Sequence, residues 1–156
     1  MSVRERQAWL AVVTTAFIWP AYIFTFFSAF AARDLDGWAL LNLFVWTLGI
    51  HVVVLLGSVI LFAHLRRENF DAPPDELERQ LEARADKLGR GVLEFSVASI
   101  AIATLWISGL ARADFAADPA GATAIMMANF LMFAGMAAGI VRETTLIVQF
   151  RRTAAI

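Results

Sequence analysis

The sequence predicts an all-α, polytopic membrane protein: a four-helix transmembrane bundle of two hairpins, with a short cytoplasmic amphipathic helix before the third span. Three observations predict this fold. Hydrophobic residues make up 60% of the 156 residues and the mean hydropathy is +0.66, whereas a soluble domain is about 45–50% apolar. Four apolar segments are each long enough to cross about 30 Å of hydrocarbon as a helix. Lys and Arg are concentrated near the two ends of the chain and between the second and third apolar segments.

The predicted spans are residues 7–32, 38–65, 91–111 and 123–150, with residues 66–90 as a connector, all within a single transmembrane domain. Of the 13 Lys and Arg residues, only Arg33 and Arg112 lie on the side of the two short loops. Because basic residues accumulate in cytoplasmic segments, we expect both termini and the connector to be cytoplasmic, in a bacterial inner membrane.

The first span has two distinctive features. Pro20 is expected to kink the helix, because proline removes a helical hydrogen bond. Arg4 and Arg6, followed by an apolar run and Ala29-Phe30-Ala31, also resemble a signal peptide. The apolar run is longer than a signal peptide needs, so we expect the first helix to be retained.

His51 lies about halfway along the second span, where a polar side chain is costly unless it is used. Its possible roles are a packed neutral imidazole, a proton-linked switch and a haem ligand. The other histidine, His64, is on the same helix, about 220° around it. One chain therefore cannot hold a haem between two histidines, although a symmetric dimer could use His51 twice. We predict no cofactor and no metal site.

The connector contains a helix break and a new helix start. Residues 70–74 end the second helix, and Asp75 with Glu78 has the pattern of a capping box. Gly89 and Gly91 are expected to form a hinge before the third span. Three leucines recur at helical spacing on one face of this segment: Leu77, Leu81 and Leu88. The segment is either a connector that lies on the membrane surface or a docking face for a cytoplasmic protein partner.

Four further polar residues lie in or near the spans. Glu94 is expected to pair with Arg90 or with Arg142, as an interfacial ion pair or, less commonly, as part of a proton or cation site. Asn42 and Asn129 are expected to form hydrogen bonds between helices, with substrate contact as the minority alternative.

The fourth span holds a GxxxG pattern at Gly135 and Gly139, which allows two helix backbones to approach closely. The sequence leaves open whether that contact lies within the bundle or across a homo-oligomer. Asn42 and Asn129 are 87 residues apart, as are Trp19 and Trp106, which suggests that the two hairpins arose by duplication.

Two stretches carry a resemblance to a known group of proteins. These are Glu5-Arg6-Gln7-Ala8-Trp9, and the segment from Asp75-Glu76-Leu77-Glu78-Arg79 through Ala83-Arg84 to Gly91-Val92-Leu93. They resemble small uncharacterised four-helix bacterial inner-membrane proteins, which are often thought to work beside small helix-turn-helix regulators. The resemblance implies a sensor or a sequestering partner, and it transfers no catalytic residue.

The function predicted from the sequence is non-enzymatic. The chain has no cysteine, no phosphate-binding glycine loop and no hydrolase or metalloprotease motif. A net charge of −1 does not favour direct nucleic-acid binding. We expect a sensor or scaffold subunit that presents its cytoplasmic helix to a partner. The alternative is a small oligomeric transporter or channel with a polar path near His51, Asn42 and Asn129.

Overall fold

A computed structural model, which describes residues 3–66 and 73–153, contains four long helices: α1 (Val3–Ala31), α2 (Gly37–Arg66), α3 (Glu76–Asp114) and α4 (Pro119–Thr153). Each is long and apolar enough to cross a membrane. The prediction of an all-α protein with four such helices is therefore confirmed for the described part of the chain. The predicted break at residues 70–74 lies partly outside the described residues; residues 73–75 are not helical.

Aspartate side chains mark the starts of three helices. The predicted capping box is present at α3: the Asp75 carboxylate accepts from the backbone N–H of Glu78, and the Glu78 side chain accepts from that of Asp75. Asp36 accepts from two backbone N–H groups at the start of α2, and Asp118 from one at the start of α4. These bonds satisfy helix donors that have no partner within the helix. Two acids of the short loops therefore cap helices.

The helices lie side by side in the order α2, α1, α4, α3. The most extensive interface joins α3 and α4, α1 packs against both α4 and α2, and α2 shares no comparable interface with α3 or α4. Trp19 and Asn129 are buried, whereas Trp106 and Asn42, the residues 87 positions away, are exposed. The positions related by the suggested duplication therefore have different environments.

α3 is one continuous helix of 39 residues, about 58 Å long at 1.5 Å per residue. The segment that we expected to form a separate surface helix thus continues directly into the third span. Gly89 is not a hinge but a contact point: a Cβ atom there would lie 3.0 Å from Arg142 Cβ and 3.1 Å from the carbonyl oxygen of Ala138. This close approach holds α3 against α4.

Residues 76–90, called here the α3 extension, pack against the start of α1 and the end of α4. A buried apolar cluster joins the three helices: Ala8, Leu81, Ala85, Leu146 and Ile147. Arg151 Nε lies 2.6 Å from Glu5 Oε1, so the two described ends of the chain meet. We call this the terminal end of the bundle, and the opposite end, with the turns after α1 and α3, the loop end.

Candidate functional site

His51 faces α1 and accepts a hydrogen bond at Nδ1 from the indole Nε1–H of Trp19, at 3.2 Å. An indole N–H can only donate, so Nδ1 must be unprotonated and the neutral imidazole carries its proton on Nε2. Trp19 is 5% exposed, and its ring also contacts Tyr22 and Phe44. These rings join α1 to α2, and a doubly protonated His51 would lose the bond to Trp19.

Asn129 is buried in α4 and bonded to α1. Its Oδ1 accepts from the hydroxyl of Tyr22 at 2.6 Å, and its Nδ2 donates to the carbonyl of Ile125. The hydrogen bond between helices that we predicted for Asn129 is therefore present, with Tyr22 as its partner.

Tyr22→Phe is expected to lower the free energy of unfolding by about 1 kcal/mol, because Asn129 Oδ1 then loses its buried donor. Denaturant titration of the purified protein in detergent, followed by circular dichroism, measures the change. Thr25→Ala, which removes an exposed hydroxyl bonded only within α1, serves as the control. A loss no larger than that of the control contradicts the assignment.

Asn42 and Glu94, unlike His51 and Asn129, have no partner on a neighbouring helix within the described residues. Both are exposed, and neither forms a side-chain hydrogen bond or ion pair within the described residues. The expected Glu94–Arg142 pair is wrong, because Arg142 Nε lies 2.6 Å from Asp86 Oδ1 and its Nη1 pairs with Glu143. Arg142 thus binds a carboxylate two turns closer to the terminal end than Glu94.

Gly135 and Gly139 are exposed, and an added Cβ would meet nothing within 4 Å at either position. No described helix packs closely on the GxxxG pattern. The contact within the bundle is therefore ruled out for the described helices, and the pattern faces outward toward the space between α2 and α4.

That space is a cleft with α2 and α4 as its walls and α1 as its floor. It has two lobes. The lobe nearer the loop end has a volume of about 370 Å³ and is bordered by Leu40, Phe44 and Met132. The other has about 310 Å³ and is bordered by His51, Gly135 and Gly139. We call the two lobes together the α2–α4 cleft.

At the terminal end the cleft reaches a third space of about 340 Å³ with charged walls. Ala11 and Glu143 border both this space and the neighbouring lobe, so the two adjoin. Arg4 Nε lies 3.5 Å from Glu82 Oε1 across the α1–α3 contact. We call this space the mouth of the cleft; its charged side chains are Arg4, Glu82, Arg142 and Glu143.

The α3 extension has a buried stripe and an exposed basic side. Leu81 is 5% exposed and belongs to the apolar cluster, so it is not part of an open docking face. Leu77 and Leu88 are 47% and 53% exposed. Three acidic residues have partners: Glu78 belongs to the capping box, Glu82 pairs with Arg4 of α1, and Asp86 pairs with Arg142 of α4. The exposed basic side chains form no ion pair within the described residues: Arg79, Arg84, Lys87 and Arg90.

Sequence reasoning missed the partners of the polar groups in the spans. Trp19 and Tyr22 belong to a series in α1 spaced alternately by three and four residues: Glu5, Ala8, Val12, Thr15, Trp19, Tyr22 and Phe26. This spacing is typical of a helix that packs along a neighbour, and most of these residues are buried. This series was the available signal that α1 packs along neighbouring helices.

Within residues 3–66 and 73–153, no group of three or more histidine or acidic side chains could hold a metal ion. The sequence matches no protein-family profile, and comparison with curated proteins and with solved structures finds no similar protein.

Proposed function

We propose that this protein is a non-enzymatic, multi-pass membrane protein of the bacterial inner membrane that docks an acidic cytoplasmic protein on its α3 extension. The observation that carries the proposal is the separation of charge on this helix. Its sequence alternates acids and bases, but three of its four acids are engaged by a cap or by arginines of α1 and α4. The basic face that remains comprises Arg79, Arg84, Lys87 and Arg90.

The position of this face suits a docking role. At 100° per residue, the four basic side chains lie on the half of α3 away from the buried stripe of Leu81, Ala85 and Gly89. Leu77 and Leu88 flank the stripe and are exposed. Charge complementarity steers partners toward a surface, and apolar anchors hold them there. A partner with an acidic patch beside a small apolar pocket therefore matches this face.

Rigidity also supports the proposal. The α3 extension is held by the apolar cluster and by ion pairs to Arg4 and Arg142. A preorganised helix loses little conformational entropy on binding. Positive charge at the terminal end favours a cytoplasmic location for this surface.

A photo-crosslinking experiment in membranes of the native host tests the proposal. A benzophenone side chain at Gln80, which is exposed one turn before Arg84, is expected to form an adduct with an acidic protein. The adduct should fall about tenfold or more in R84E/K87E, because reversed charges repel the partner, and should persist in R84K.

Two controls accompany this experiment. A benzophenone at Ile102, which is 68% exposed at membrane depth, should crosslink lipid only. Cysteine labelling must show unchanged topology in R84E/K87E, because loop charges set orientation. An adduct of equal yield in R84E/K87E, or no protein adduct at Gln80, rejects the proposal.

The alternative of an oligomeric transporter is less well supported. Asn42 borders a surface with Trp38 and Val45, outside the α2–α4 cleft. His51 and Asn129 border the cleft, but each is bonded to an aromatic residue of α1. The three groups therefore do not face a common path within one chain.

A further inference from the structure

The α2–α4 cleft is mostly apolar, although it lies beside the most polar residues of the spans. Trp19 donates a hydrogen bond to His51, and Tyr22 donates one to Asn129, so the polar groups of each pair are bonded to each other. The remaining lining residues are apolar or glycine, except for two. The Thr15 hydroxyl is bonded to the carbonyl of Ala11, and Glu143 lies where the cleft meets the mouth. A lining of this kind suits an apolar occupant.

The dimensions of the cleft discriminate between two apolar occupants. A helix that spans the membrane is about 10 Å wide. At the loop end α2 and α4 already meet, since a Cβ atom on Gly37 would lie 3.1 Å from Ile125 Cδ1. A helix therefore cannot lie between them along the whole cleft, whereas a single hydrocarbon chain is narrow enough to lie along α1.

The mouth adds a charged end to this apolar channel. Its wall carries two cations, Arg4 and Arg142, and two anions, Glu82 and Glu143. An amphiphile with a purely anionic head group would face both carboxylates. These charges are already paired, Arg4 with Glu82 and Arg142 with Glu143. A head group that carries one charge of each sign can join both pairs without adding net charge.

We propose that the α2–α4 cleft binds one acyl chain of a zwitterionic phospholipid, whose head group lies at the mouth among Arg4, Glu82, Arg142 and Glu143. The chain lies against Gly135 and Gly139, which leave room for it because they lack side chains. This site is separate from the basic face of the α3 extension and does not depend on the proposed protein partner.

The glycines provide a direct test with a matched control. Gly135→Leu with Gly139→Leu is designed to fill the cleft: nothing lies within 4 Å of either Cβ position, and the adjoining lobe of about 310 Å³ leaves space for the rest of each side chain. Gly109→Leu makes the same chemical change at an exposed position of α3 that is equally open. Both proteins are reconstituted in vesicles with a phosphatidylethanolamine that carries a diazirine on its acyl chain, and adducts are mapped by mass spectrometry.

In the unmodified protein, labelling of Leu48, Met136 and Ile140 should exceed that of Phe95 and Leu105 by about tenfold, the effect of a 1.4 kcal/mol preference. Phe95 and Leu105 are 76% and 83% exposed and report ordinary lipid contact. The excess should disappear in the Gly135/Gly139 variant and persist in Gly109→Leu. Equal labelling of both sets, or an excess unaffected by filling the cleft, overturns the proposal.

Two further experiments test the head group and test whether a second copy of the chain occupies the cleft. A phosphatidylglycerol probe should give a smaller excess than phosphatidylethanolamine, and an equal or larger excess refutes the head-group assignment. Because the chain has no cysteine, Gly139→Cys is the sole thiol in its variant. Its efficient oxidation to a disulfide-linked dimer in membranes would place a second copy against the cleft and reject the lipid.

Discussion

Gly89→Leu is expected to force α3 away from α4 and to lower the free energy of unfolding by about 3 kcal/mol, at the upper end of the range for overpacking. Even the first atom of the new side chain would lie 3.0 Å from Arg142 Cβ and 3.1 Å from the Ala138 carbonyl oxygen. Neither atom is the end of a flexible side chain, so relief requires movement of a helix. The displacement would also weaken the Arg142–Asp86 ion pair beside it.

Gly91→Leu is the matched control, because position 91 is exposed and nothing lies within 4 Å of its Cβ position. There the substitution should stabilise the helix by about 0.5–1 kcal/mol, since glycine is a poor helix former. The two changes, one half-turn apart, therefore have opposite signs. Denaturation in detergent measures both, and a Gly89→Leu protein as stable as Gly91→Leu would show that α3 and α4 do not meet here.

Leu81→Asp is expected to unfold the α3 extension, with a cost on the order of 4 kcal/mol. The substitution places a carboxylate in the apolar cluster with Ala8, Ala85, Leu146 and Ile147, and it also removes the leucine contacts. Burial of an unpaired charge is among the few changes that reach this magnitude.

Leu77→Asp is the control for this experiment, because Leu77 lies one turn away and is 47% exposed. It should change stability by no more than about 0.5 kcal/mol. Trypsin provides the measurement, since cleavage after Arg79, Arg84 and Lys87 requires local unfolding. Rapid cleavage is expected in Leu81→Asp but not in Leu77→Asp, and equal rates would contradict the packing of Leu81.

This pair of variants also bears on the design of docking experiments. The sequence places Leu77, Leu81 and Leu88 on one face, but the structure divides them between the interior and the surface. A change at Leu81 would abolish docking by unfolding the surface itself. Leu77 and Leu88, with the basic face, are the positions at which docking can be tested separately from folding.

Local features of the sequence were sufficient for the helices and one cap. The four apolar helices follow from hydropathy summed over neighbouring residues, and the capping box at Asp75 and Glu78 from residues three positions apart. The caps at Asp36 and Asp118 have the same local character. The predicted spans did not include them, because those spans begin at residues 38 and 123, after the helices have started.

The partners of the polar residues depend on how the helices pack. Arg142 pairs with Asp86 rather than Glu94, His51 with Trp19, and Asn129 with Tyr22. Each contact depends on the rotation of a helix and on which helices are neighbours. The order α2, α1, α4, α3 is not encoded in any one segment.

The four long apolar helices follow from the sequence, because the free energy of placing a helix in lipid depends mainly on the residues of that helix. The sequence did not determine which faces are buried. Lipid is as apolar as a leucine side chain, so hydrophobicity does not distinguish the inward side of a membrane helix from the outward side. For that reason the tertiary structure alone decided that Gly135 and Gly139 border an open cleft, and that Gly89 is the glycine at which two helices meet.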